Sequence, residues 1–447
     1  MLRFKWLHRV QDNPTFRFML PVMLENIFSI FISMAFSRII SGISGSALAA
    51  IGMANTIMNV IYGAFAVVIT GGAVLISRHI GAGDRKQAAS TTGQAINFAA
   101  ISSIAVTLLC IITSRWLLRL LMPTAEDALF DEAVRYYCFL MGSLPFHVLI
   151  GVLGGAMRAL GNSRMPMIVG VITCGLLWVF GWIFVVLIPL EEVGAGLAYI
   201  CCRVVGTGIA LYALMHDHRY FTLRFKDLFH VDAAIIRRIM NIGLPVAAET
   251  VFTSIGYMLA NSMSIALGTM EASTYQIMNT LNGFVGLPQS ICNVVALSVV
   301  GRLIGAQDYK GARKNGRMIW LVGLGANIVL GTIITVFAAP LSGIYSADPD
   351  VIALSSKLMW ILIVMGLPAV SINAIDAQLR AGGDVKYVMM STMTGVWLIR
   401  LPLTYLFCFV WDFGVLGIYG ANTIALYYRA MLGLLRHRTD KWLTKKV

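Results

Sequence analysis

The sequence predicts an all-α membrane protein, with twelve transmembrane helices in two six-helix bundles related by a parallel internal repeat. Three observations predict it. Hydrophobic residues make up 58% of the 447 and charged residues only 12%, about half the ~25% of soluble domains; mean hydropathy is +0.79. Apolar stretches that meet the ~20 residues needed to cross a bilayer recur along the whole chain. The second half of the chain also restates the first.

The spans are expected near 15–40, 47–77, 88–113, 130–156, 165–188, 193–215, 236–265, 270–301, 314–340, 352–379, 387–411 and 415–435. The first exceeds the length of a signal h-region and is read as a retained span. The net charge of +13 does not point to nucleic acid, because the basic residues follow the spans. Arg3, Lys5, Arg9 and Arg17 precede the first. Arg78, Arg85 and Lys86 follow the second, and Arg158 and Arg164 the fourth. Arg219, Arg224, Lys226, Arg237 and Arg238 lie between the halves. Arg302, Lys310, Arg313, Lys314, Arg317, Arg380 and Lys386 continue the series, and Arg429, Arg436, Arg438, Lys441, Lys445 and Lys446 close it. The opposite side holds Arg38, Arg115, Arg119 and Lys357. This positive-inside pattern places both termini in the cytoplasm and the basic side against anionic headgroups. The seven cysteines all sit in apolar segments without a CxxC pair and read as apolar filler.

The repeat is explicit. Arg78-His79-Ile80-Gly81-Ala82-Gly83-Asp84 returns half a chain later as Arg302-Leu303-Ile304-Gly305-Ala306-Gln307-Asp308. At the same offset Leu20-Pro21 returns as Leu244-Pro245, Glu25 as Glu249 and Asn55 as Asn279. Arg158-Ala159-Leu160-Gly161-Asn162 answers Arg380-Ala381-Gly382-Gly383-Asp384. Six spans per half return the chain to its starting side, so the repeat is parallel. The expected organisation is an N-lobe over 1–222, a cytoplasmic linker over 223–231 and a C-lobe over 232–447. The stretch 217–226 mixes cationic and aromatic residues, as a segment lying on the membrane face does; an ordinary solvated loop is the other reading. In the Gly-Asp turns the glycines permit a sharp reversal and Asp84 is placed to cap the next helix.

Ionisable groups inside spans cost ~2.5–3.5 kcal/mol each at the helix centre, and usually face a cavity. The candidates are Glu25, Glu249, Asp376, Arg203 and Arg400. Glu25 and Glu249 each follow a proline by one helical turn, where the freed carbonyl and bend suit a carboxylate that binds a cation or a proton. The alternative is that both sit near the cytoplasmic interface and meet basic loops. Asp376 has no acidic repeat partner, since Gly154 stands there. It is expected to pair within its helix with Arg380, or with Arg203 or Arg400, which need a carboxylate or free carbonyls. Asn55 and Asn279 either line a cavity or hydrogen-bond between helices.

The segment Gly42-Ile43-Ser44-Gly45-Ser46-Ala47-Leu48-Ala49-Ala50-Ile51-Gly52 resembles the MATE family of multidrug and toxic compound extrusion transporters. So do the two Gly-Asp turns, the two Arg-x-x-Gly-(Asn/Asp) turns and Trp397-Leu398-Ile399-Arg400-Leu401-Pro402. The resemblance covers nearly the whole chain. It implies two six-helix lobes around a central cavity and export of organic cations against an inward Na⁺ or H⁺ gradient. The chain also departs from the family. Where many members carry an Asp in span 1, it has Ser37-Arg38-Ile39-Ile40-Ser41, and the span-5 stretch Leu176-Leu177-Trp178-Val179-Phe180-Gly181 has no acid. Glu249 lies one turn earlier than the span-7 Glu of other members.

The resulting expectation is a secondary antiporter, not an enzyme. It would export amphipathic, cationic organic compounds or drugs in exchange for H⁺ or Na⁺ by alternating access, with no cofactor and no metal. The runner-up is a flippase for a lipid-linked or other anionic amphiphile, which Arg203 and Arg400 keep open. Absence of HExxH, GxSxG or paired catalytic acids argues against an intramembrane enzyme. Expected partners are membrane lipids and a small amphipathic substrate, for a monomer in the bacterial cytoplasmic membrane.

Overall fold

The computed structural model describes residues 14–40, 45–121, 127–216 and 232–444. Those residues form helices joined by short turns, with no strand among them. The expected linker over 223–231, the residues 42–44 and the outermost basic residues of both termini lie outside the described residues.

The first half runs α1 (Pro14–Ile40), α2 (Gly45–Ala64), α3 (Ala66–Gly81), α4 (Arg85–Ile112), α5 (Ser114–Leu121), α6 (Asp127–Gly142), α7 (Leu144–Ala159), α8 (Arg164–Leu187) and α9 (Glu191–His216). The second runs α10 (Ala233–Ala266), α11 (Thr269–Val285), α12 (Leu287–Gly305), α13 (Tyr309–Val336), α14 (Ala338–Tyr345), α15 (Pro349–Leu358), α16 (Ile361–Ala381), α17 (Val385–Val410) and α18 (Gly414–Arg438). Among the described residues, eleven helical stretches are long and apolar enough to cross a membrane. At the twelfth expected place stands α18, a 25-residue helix. Several expected spans are rods interrupted by one residue. The break at Ser143 precedes Pro145, and the break at Gly286 precedes Pro288, because a proline in the first turn of the new segment cannot donate backward.

The Gly-Asp turns form as expected. Asp84 accepts the Gln87 amide at 3.0 Å and Asp308 accepts the Gly311 amide at 2.8 Å, so each carboxylate caps the helix that follows. The left-handed position falls on Gly83 (φ +76°) in the first half and on Gln307 (φ +59°) in the second. The geometry therefore repeats even where glycine is not retained.

Contacts divide the chain into two compact units, Met1–Ala247 and Ala248–Val447. The division lies inside α10, because its first turns pack on α3. A Cβ on Gly243 would strike the Val67 backbone carbonyl, and one on Gly71 would lie 2.5 Å from the Ile239 carbonyl oxygen. In the first unit α8 packs between α1 and α9, α3 and α4 pack on α7, and α2 packs on α6. In the second unit α16 is the axis, flanked by α12, α13 and α18; 78% of its span is buried, against 28% for α13 and for α17. Outward faces carry Ile104, Leu108, Ile112, Trp182, Val329, Val336, Leu398 and Trp411, apolar and aromatic side chains that suit lipid.

Candidate functional site

The two proline-adjacent glutamates are each held by the arginine of the second repeated turn. In the first unit Arg158 Nη2 donates to Glu25 at 2.6 and 2.7 Å. Gly170 on α8 leaves the space the Glu25 side chain fills. In the second unit Arg380 Nη2 donates to Glu249 Oε2 at 2.7 Å. Glu25 matches Glu249 and Arg158 matches Arg380 in the repeat, so one ion pair is built twice. Both carboxylates thus meet an arginine near the end of a neighbouring helix.

The second unit adds to this pair. Thr392 on α17 donates to Glu249 Oε1 at 2.8 Å. Arg429 on α18 donates to Thr392 Oγ1 at 2.6 Å and lies 3.5 Å from both Glu249 Oε1 and Asp376 Oδ2. Gly395 permits this, since a Cβ there would contact the Arg429 stem. Glu249 and Asp376 are both buried. The network therefore reads Arg380, Glu249, Thr392, Arg429, Asp376, drawn from four helices. It corrects three expectations. Asp376 pairs with Arg429 rather than with Arg380 one turn away, because Arg380 is already committed to Glu249. Arg400 pairs with neither acid. Arg429 belongs to the interior of α18 and not to the C-terminal basic cluster. At Gly154, the repeat counterpart of Asp376, a Cβ would lie 3.4 Å from Arg158 Nη1.

A cavity of about 340 Å³ opens beside this network. Glu249, Asp376, Arg380 and Arg429 line it with Tyr257, Asn282, Asn293, Asn373 and Asn422. Asn373 and Asn293 join at 3.4 Å. The amide oxygen of Asn282 is buried without a donor.

The remaining candidates separate from it. Arg203 Nη1 donates to Ser143 Oγ at 2.5 Å and its guanidinium stacks 4.8 Å over Tyr199. Arg400 is 3% exposed and lies 4.2 Å over the Tyr257 ring. Asn55 is half-buried on α2, next to Tyr136. Asn279 is exposed on α11 and does not line the 340 Å³ cavity. Sequence reasoning missed Arg429 and Thr392. An arginine within the last expected span was the available signal for Arg429; nothing local marks Thr392.

Chemically, the network holds two carboxylates around one shared arginine. Glu249 is satisfied by two short bonds. Asp376 has a single contact at 3.5 Å, longer than an N⁺–H···O⁻ bond of ~2.7–2.9 Å. Asp376 therefore retains acceptor capacity for a cation or a proton in a polar, buried cavity. Among the described residues no group of three or more His, Cys, Asp or Glu is arranged to hold a metal.

Comparison with known proteins places this architecture. The MatE family model matches twice, over residues 21–183 and 245–406. The uncharacterized transporter YisQ of Bacillus subtilis is 26% identical over 434 residues, covering 95% of this chain and 94% of YisQ. A probable multidrug resistance protein NorM of Thermotoga maritima is 26% identical over 428 residues, covering 95% and 91%. The outward-facing structure of a multidrug resistance MATE family transporter of the MOP superfamily superposes with a TM-score of 0.90 at 20% identity, over 98% of both chains. A MOP superfamily transporter from Pyrococcus furiosus, described by the reverse polarity of its binding pocket, superposes with a TM-score of 0.88 at 20% identity, again over 98% of both. The superpositions bear out the helical fold, and the doubled match bears out the repeat: this chain belongs to the MatE family of multi-pass membrane transporters.

Proposed function

We propose that the protein is a cation-coupled antiporter that exports amphipathic organic compounds by alternating access, and that Asp376 and Glu249 form its coupling site. The observation that carries this reading is the pair of buried carboxylates sharing Arg429 on the wall of the 340 Å³ cavity. A proton or Na⁺ taken up by Asp376 removes its claim on Arg429, which then turns wholly to Glu249 and Thr392. That rearrangement links α16, α17, α18 and α10, and so gives the ion different free energies in two helix arrangements, as coupling requires. One charge crossing 100 mV supplies ~2.3 kcal/mol, enough to bias such an equilibrium. The first unit, with Glu25 closed on Arg158 and no acid at the span-1 and span-5 places, is then a scaffold and not a second coupling site. The basic loops support cytoplasmic termini and residence in the cytoplasmic membrane. The relatives' names support drug-like cargo.

The test is gradient-driven efflux of ethidium from proteoliposomes, with an imposed H⁺ or Na⁺ gradient. Asp376→Asn is expected to reduce gradient-driven transport at least tenfold. Undiminished gradient-driven transport by the Glu249→Gln, Asp376→Asn double variant would sink the assignment.

A further inference from the structure

In the second unit the buried acids are Glu249, Asp376 and Asp384, and the one buried arginine is Arg400. Asp384 is taken by Arg436, which leaves Glu249 and Asp376 for the arginines of the interior, Arg380, Arg429 and Arg400. Arg380 and Arg429 take both acids. Arg400, the most enclosed of the three at 3% exposure, is left with no carboxylate and with Nε buried without an acceptor. Arg203 of the first unit, which is only half-buried, at least has the Ser143 hydroxyl. Around Arg400 the side chains are aromatic. Tyr257 lies against the guanidinium face, and Tyr275 and Tyr419 are within its electrostatic reach, their own rings 5.6 Å apart.

A guanidinium in such a place is costly unless an anion reaches it. Stacking on a tyrosine face leaves the in-plane N–H fork unused, and that fork matches the two oxygens of a carboxylate. Arg400 ends the π-helical stretch Thr394–Arg400, two residues before Pro402. A widened turn of that kind often marks a functional position. Tyr257, which covers Arg400, is itself on the wall of the 340 Å³ cavity and is 44% exposed. A small displacement of the ring therefore connects the arginine to the cavity. On the same wall the amide oxygen of Asn282 awaits an N–H donor.

We propose that Arg400 and its tyrosine shell form a carboxylate-binding subsite opening on the second-unit cavity, for an aromatic or otherwise apolar organic acid. The favoured cargo then combines an apolar body with a compact anionic group, and is a zwitterion or anion in place of the simple organic cation that the family resemblance implies. This rests on the transporter reading for its role, but not for its test.

Equilibrium binding to the full-length protein in nanodiscs separates the two, because no gradient is involved. The probes are 2-naphthoate and 2-naphthylmethylammonium, which share a ring and differ in charge. Wild type is expected to bind naphthoate saturably and more tightly than the ammonium. Arg400→Gln should weaken naphthoate at least tenfold and leave the ammonium within about twofold; Arg400→Lys, keeping charge but losing the fork, should fall between. Tyr257→Ala, at an exposed position, should speed naphthoate association. Absence of saturable naphthoate binding to wild type overturns the proposal whatever the variants do, and so does equal loss of both probes in Arg400→Gln. Naphthoate binding without gradient-driven efflux of either naphthoate or ethidium would instead sink the transport reading and leave this site standing.

Discussion

Neutralising Glu249 and neutralising Asp376 should have unequal consequences for stability, although the two acids share an arginine. Glu249 accepts from Arg380 at 2.7 Å and Thr392 at 2.8 Å, faces Arg429 at 3.5 Å, and is buried. Removing one partner of a buried pair costs ~3–5 kcal/mol, mostly because the other charge is left uncompensated. Glu249→Gln keeps one oxygen, so either the Thr392 or the Arg380 bond survives, and the expected cost is about 3 kcal/mol. Asp376 has one 3.5 Å contact. An Asn oxygen can occupy the same place, while Arg429 keeps Glu249 and Thr392, so Asp376→Asn should cost under about 1 kcal/mol. The difference of about 2 kcal/mol is roughly thirtyfold in the folding equilibrium. Reversible unfolding in mixed SDS and maltoside micelles, followed by circular dichroism, reads it directly. Ethidium efflux on the same preparations should show coupling impaired in both. If Asp376→Asn proves as destabilising as Glu249→Gln, Asp376 is an ordinary structural ion-pair partner and the division of roles fails.

Three further outcomes are expected. Gly243→Ala drives a Cβ into the Val67 backbone carbonyl, which cannot rotate away, so it should lower thermal stability by about 1–3 kcal/mol, whereas Gly52→Ala, with open space around it, should leave stability unchanged. Trp442 is fully buried with Val300, Ile304, Leu379 and Val388, and its Nε1 donates to the His437 carbonyl at 3.0 Å. Trp442→Ala should therefore cost ~3–5 kcal/mol, seen as a lower melting temperature in size-exclusion thermostability assays; an unchanged value would mean that the C-terminal segment does not dock. His437 lies beyond the expected span 415–435. Burial pushes its imidazole below the ordinary value, and its Nε2 lies 3.1 Å from Gln378 Oε1. The native state then binds fewer protons than the unfolded one, so this contribution is present above about pH 6.5 and is lost as pH falls below it. The melting temperature should drop between pH 7.5 and 5.5, and His437→Gln should flatten that drop.

Hydropathy and the half-length repeat sufficed for the helices, for their number and for the parallel halves. Those features depend on local apolar run length and on parity of crossings. The capping role of Asp84 was equally local, and the structure shows its bond and the matching one of Asp308. The prominent acids were also legible, because an acid in a span is rare. Their partners were not. Arg158 and Arg380 stood in a repeated motif of their own, and each bond joins residues more than a hundred positions apart. Asp376 illustrates the limit. One helical turn away stands Arg380, the partner that spacing favours, but Arg380 is drawn to α10 and Arg429 arrives from α18. Helices made for lipid are apolar on nearly all faces, so their sequence carries little record of which face turns inward. Rotation about each helix axis decides which charges meet, and packing alone sets that rotation. What the sequence determined by itself was therefore the scaffold and the set of costly charges. The tertiary structure decided that Glu249 and Asp376 share Arg429, and that Arg400 is left with tyrosines.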